Sequence, residues 1–88
     1  MAQQVKNKNK LYLYKIFVDY YNNPFHDQEF NVWAYNESNA INLIATYLHL
    51  CSSQLKRIAH LIIYKRAIKT FIYRLFNKVP KYPIYTEV

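Results

Sequence analysis

None of the 88 positions is glycine, and Cys51 is the only cysteine. Without glycine there is no glycine-rich loop to cradle a nucleotide phosphate, and the glycines of an RNA-recognition signature cannot be matched. Every turn must be built from Asn, Asp, Ser or Pro, of which only Asn and Asp tolerate a positive φ reasonably well. A lone cysteine excludes an internal disulfide, and a reducing interior is its simplest setting, so a cytoplasmic or otherwise intracellular protein is expected. Long apolar runs are also missing. The longest, from Ile41 to Cys51, is broken by Asn42, Thr46 and His49, and it falls well short of the about 20 residues that cross a bilayer. Residues 1–10 are polar and basic with no apolar centre, unlike a secretory signal.

What is present points to a small folded domain. Apolar residues make up 52% and aromatics 18%, too rich for a disordered chain, while 88 residues suffice for one core only. The expected organisation is a basic arm over 1–10, one α+β domain over 11–79 and an extended tail over 80–88. Asn, Lys, Ile and Tyr have AT-rich codons and dominate the chain, which points to an AT-rich genome: a phage or other mobile element, a low-GC bacterium, an organelle or an AT-rich parasite.

Acidic residues are scarce and unevenly placed. Residues 1–44 hold Lys6, Lys8, Lys10 and Lys15 against Asp19, Asp27, Glu29 and Glu37. Residues 45–88 hold eight bases against Glu87 alone, so the whole net charge of +7 sits in the C-terminal half. That asymmetry is the strongest functional hint in the sequence.

Residues 11–20 alternate with period two, with Tyr12, Tyr14, Ile16, Val18 and Tyr20 on one face. Residues 29–35 form a second strand, and Asn22-Asn23-Pro24 begins the turn between them. Asn36 or Ser38 offers an N-cap for a largely buried helix over 39–51, whose narrow polar stripe is Asn42, Thr46 and His49. Ser52 or Ser53 caps a further helix lined by Leu55, Ile58, Ala59 and Ile62. From Ala67 the set Ile68, Phe71, Ile72, Leu75 and Phe76 repeats at helical spacing, but its phase is shifted by nearly half a turn. Two basic amphipathic helices breaking near Tyr64–Arg66 resolve the conflict. The competing reading makes the last two elements strands, with HLIIYKR as a buried strand in a ββαββ order.

No constellation points to a reaction. His26 with Glu29, or His49 with Cys51 and His60, lacks the spacing of a zinc site. Cys51 is expected to be a buried structural thiol at a helix end, and the carboxylates are scattered. The chain is therefore read as a non-enzyme with no cofactor and no metal.

Two binding surfaces remain. If the buried helix covers Ile16, Val18, Phe30, Val32 and Ala34, the opposite sheet face carries Lys15, Phe17, Asn31, Trp33 and Tyr35, the ingredients of a base-stacking platform. The C-terminal bases Lys56, Arg57, Lys65, Arg66, Lys69, Arg74, Lys78 and Lys81 fall opposite the apolar stripes and suit phosphate neutralisation. Non-catalytic binding of RNA or DNA is the leading expectation. The alternative is a small interaction or inhibitor protein that docks on a host protein, since ten tyrosines and a tryptophan suit an interface equally well. A homodimer is expected in either case, and an anionic membrane surface ranks below both partners.

Overall fold

Alternating aromatic and β-branched residues give the first two strands, β1 (Tyr12–Tyr20) and β2 (Gln28–Ala34). They pair antiparallel in a register that sets Tyr14 opposite Val32 and Ile16 opposite Phe30. The computed structural model describes residues 10–22 and 28–86. Most of the N-terminal arm, and Asn23, Pro24 and His26 of the connecting loop, lie outside the described residues.

Helix α1 (Glu37–Tyr47) starts at Asn36, whose side chain accepts the Asn39 N–H at 2.8 Å. The cap satisfies a first-turn donor, and Glu37 sits well at the positive end of the helix. Ala40, Ile41, Ile44 and Ala45 pack on Tyr14, Ile16, Val18, Phe30, Val32 and Ala34 to form the main core. Burying an aliphatic side chain this completely contributes about 1.5–3 kcal/mol.

The helix stops at Tyr47, four residues short of the expected Cys51. Leu48 caps it, the His49 N–H donates to Thr46 O at 3.0 Å, and the Leu50 N–H donates to Ala45 O at 2.8 Å. This is a Schellman closure with His49 in the left-handed seat at φ 61°, where glycine usually sits. Helix α2 (Ser52–Ile58) then begins at Cys51, not at either serine, with Gln54 Oε1 accepting the Cys51 N–H at 2.9 Å.

The stretch after Ile58 combines the two competing readings. Strand β3 (Ala59–Lys65) follows α2 directly and pairs antiparallel with the second edge of β1, setting Ile63 beside Ile16 and Tyr64 beside Lys15. Helix α3 (Ala67–Leu75) comes next, so a strand between two helices absorbs the half-turn phase shift. The stripe of Leu55, Ile58, Ala59 and Ile62 suits a helix locally, yet the unfilled hydrogen bonds along β1 draw Ala59 onward into the sheet. A second glycine-free Schellman closure ends α3. Asn77 takes φ 58°, its N–H reaches Arg74 O at 3.1 Å, and the Lys78 N–H reaches Tyr73 O at 2.8 Å. The tail is not merely extended: β4 (Ile84–Thr86) pairs with the outer edge of β2.

The fold is thus α+β: among the described residues, an antiparallel sheet of order β3-β1-β2-β4 and three helices. α1 covers one sheet face. A smaller cluster of Leu11, Leu13 and Trp33, with Tyr35 and Val79 against it, lies on the other. Among the described residues no helix is long and apolar enough to cross a membrane.

Candidate nucleic-acid interface

The strand register puts Lys15, Phe17, Asn31, Trp33 and Tyr35 on the sheet face away from α1, as alternation requires. Trp33 is nevertheless only 4% exposed. It packs with Leu11 and Leu13, and its ring lies 5.5 Å from that of Tyr73 on α3. An indole enclosed in this way has no free face for a base, so the expected stacking role of Trp33 is corrected to a core role. Tyr35 is half-buried against the same cluster.

The open part of this face lies nearer the other end of β1. Phe17 meets Tyr64 edge-to-face at 5.9 Å. Lys15 Nζ lies 2.9 Å from Glu29 Oε2 and 5.8 Å from the Phe17 centroid. Glu29 thus answers the Lys15 charge. Tyr64 belongs to this group, and sequence reasoning omitted it. The alternation of HLIIYKR was the available signal, because it places Tyr64 on the Lys15 face once that stretch is taken as a strand.

The basic set divides in two. Arg74 Nη2 donates to Leu11 O at 3.1 Å, with its guanidinium 4.9 Å from the Tyr12 centroid. Lys65 Nζ stands 4.0 Å from the same ring. Both cations therefore stabilise the N-terminal end of β1, by about 0.5–1 kcal/mol each if they behave as exposed cation–π pairs. Lys56, Arg57, Lys69, Lys78 and Lys81 are exposed, and Arg66 is half-buried. Among the described residues Lys15–Glu29 is the only ion pair, so no described acid pairs with any of these six.

The start of α3 concentrates this imbalance. Arg66 occupies the N-cap position but makes no side-chain capping bond, and the first turn contains no acid. Lys65, Arg66, Ala67, Ile68 and Lys69 line an open depression of about 400 Å³ there. First-turn N–H groups without intrahelical partners, the positive end of the helix dipole and cationic side chains all carry the same sign. A second shallow groove, of about 280 Å³, runs beside β3 and includes Lys56, His60 and Tyr21.

Cys51 is exposed, contrary to the expected buried thiol. The helix start it caps lies at the surface, and its Sγ is 3.2 Å from Ser53 Oγ. That hydroxyl contact, followed by the Gln54 N–H, holds the thiol below its ordinary pKa. Among the described residues no three His, Cys, Asp or Glu side chains come together as a metal site. Compared with known families, curated proteins and solved structures, the chain matches no family model, no curated sequence and no solved fold.

Proposed function

We propose that the protein is a non-catalytic nucleic-acid binder whose phosphate contacts centre on the start of α3. The supporting observation is the uncapped, acid-free N-terminus of α3 flanked by Lys65, Arg66 and Lys69. A phosphate group there relieves like-charge repulsion and accepts hydrogen bonds from backbone donors that otherwise face solvent. Lys56, Arg57, Lys78 and Lys81, exposed elsewhere on the chain, add sequence-independent affinity. The exposed ring of Tyr64, with half-buried Phe17 edge-to-face beside it, offers a surface against which an unpaired base can rest.

Fluorescence anisotropy with labelled single- and double-stranded oligonucleotides tests this. The expected result is binding whose logarithmic affinity falls linearly with the logarithm of salt concentration, and a loss of about tenfold or more in Arg66→Glu/Lys69→Glu. No binding to any oligonucleotide at low salt overturns the proposal. A second reading, docking on a protein partner, is favoured by one observation: α3 turns apolar side chains toward solvent.

A further inference from the structure

Ile68, Phe71, Ile72 and Leu75 recur at helical spacing along α3, and Phe76 continues the row. The sequence pattern suggests that this stripe packs inward. It does the reverse. Thr70, only 2% exposed, is the residue α3 presents to β1, and at 100° per residue the apolar row lies on the other side of the helix. Ile68 is 79% exposed, Leu75 66% and Phe76 67%. Together these side chains present roughly 600 Å² of mostly apolar surface. That is at the upper end of a monomer's largest patch and approaches the about 800 Å² per partner of a standard interface.

We infer that this row is the contact between two copies of the chain, packed α3 against α3 about a two-fold axis. A short helix with a straight apolar row is self-complementary, because the same ridge fills the same groove when the second helix is reversed. The patch area, if fully covered, reaches the low end of what each partner of a stable two-fold pair buries, about 600 Å². The neighbouring charges favour a second copy over an anionic membrane. A membrane-surface helix needs free cations bordering its apolar row. Arg74 is instead drawn to Leu11 O and Tyr12, and Lys65 also turns to Tyr12, so Lys69 is the one cation of α3 itself with no partner among the described residues. With those two charges turned toward β1, repulsion between copies is reduced along the contact. The inference does not rest on nucleic-acid binding.

Sedimentation equilibrium of the full chain without nucleic acid, at tens of micromolar, is the test. The wild type is expected to be dimeric, and Phe71→Asp/Leu75→Asp to raise the dimer dissociation constant by about 100-fold or more. Because these side chains are exposed in the single chain, the variant's far-UV circular dichroism is expected to match that of the wild type. If it does not, Ile68→Ser and the concentration dependence of hydrogen exchange over 67–76 in the wild type give the same readout. A monomeric wild type overturns the inference, as does a variant that dimerises as tightly. So does a wild-type monomer that sediments with phosphatidylglycerol vesicles, which would assign the row to a membrane. Arg66→Glu/Lys69→Glu is expected to remain dimeric while losing oligonucleotide binding, so either proposal can fail without the other.

Discussion

Leu13 and Thr70 are joined by a 3.0 Å hydrogen bond in which the strand N–H donates to the helix hydroxyl. β3 has ended by this point, and Arg66, the first residue beyond it, still donates its N–H to Leu13 O at 2.8 Å. Arg66 O, which would close that pair, instead accepts from the Thr70 N–H at the start of α3, and Thr70 Oγ1 takes its place as acceptor for the Leu13 N–H. The same hydroxyl donates to Arg66 O at 2.7 Å, so the buried group is satisfied as donor and as acceptor. This contact fixes how α3 is rotated, which in turn turns its apolar row outward.

Thr70→Val keeps the shape of the side chain and leaves the Leu13 N–H without its acceptor. Stability is expected to fall by about 1–3 kcal/mol, the cost of an unsatisfied buried donor, while Thr70→Ser loses less than half of that. Urea unfolding measures both. A valine variant as stable as wild type would remove Thr70 from this role.

The two left-handed caps lead to the opposite expectation. His49→Gly relieves a side chain held at φ 61°, and Asn77→Gly one at φ 58°. The expected gains are about 0.5–1 kcal/mol for His49 and less for Asn77, since asparagine already tolerates this region. Thermal melts that leave His49→Gly unchanged or lower would contradict this.

Cys51 provides a pH-dependent readout. Its folded-state pKa is lowered by the Ser53 hydroxyl and then by the Gln54 N–H. Alkylation by iodoacetamide is therefore expected to reach half-maximal rate at a lower pH in the folded chain than in the urea-unfolded chain. Ser53→Ala shifts that midpoint back up. The linkage has the matching sign: the fold gains from the thiolate above the unfolded pKa and loses that gain as pH falls through the folded one. Identical midpoints in folded and unfolded protein would contradict the assignment.

Trp33 separates core from platform. Its emission is expected to be blue-shifted in the free protein and unquenched by single-stranded oligonucleotide. Trp33→Ala is expected to cost about 3–5 kcal/mol, enough to unfold much of a domain this small. Strong quenching by oligonucleotide together with a stable alanine variant would restore a stacking role.

The hairpin faces, the Asn36 cap, the buried face of α1 and the break before Ala67 were legible because each rests on local periodicity or one capping residue. β3 was legible only as a competitor to a helix. Leu55, Ile58, Ala59 and Ile62 do make a helical stripe, and only the hydrogen-bonding edge of β1, far away in sequence, decides against it. Trp33 failed as a platform residue for a related reason: alternation assigns its face but cannot show that Tyr73 will lie over it. Periodicity likewise reveals the α3 stripe without its direction, which a single hydroxyl–amide bond sets. The cationic start of α3 was visible as Lys65, Arg66 and Lys69, whereas the missing cap needed the helix boundary.

The strand order also governs the hazards of synthesis. β1 is made first and lies inside the finished sheet, yet β3 cannot cover its second edge until residues 59–65 have left the ribosome. Until then a nascent hairpin exposes an unpaired row of N–H and C=O groups beside Phe17 and Ile16, a template for pairing with another nascent chain. Chains released before residue 59 would keep that edge permanently, so truncated products are expected to aggregate more readily than chains that include β3.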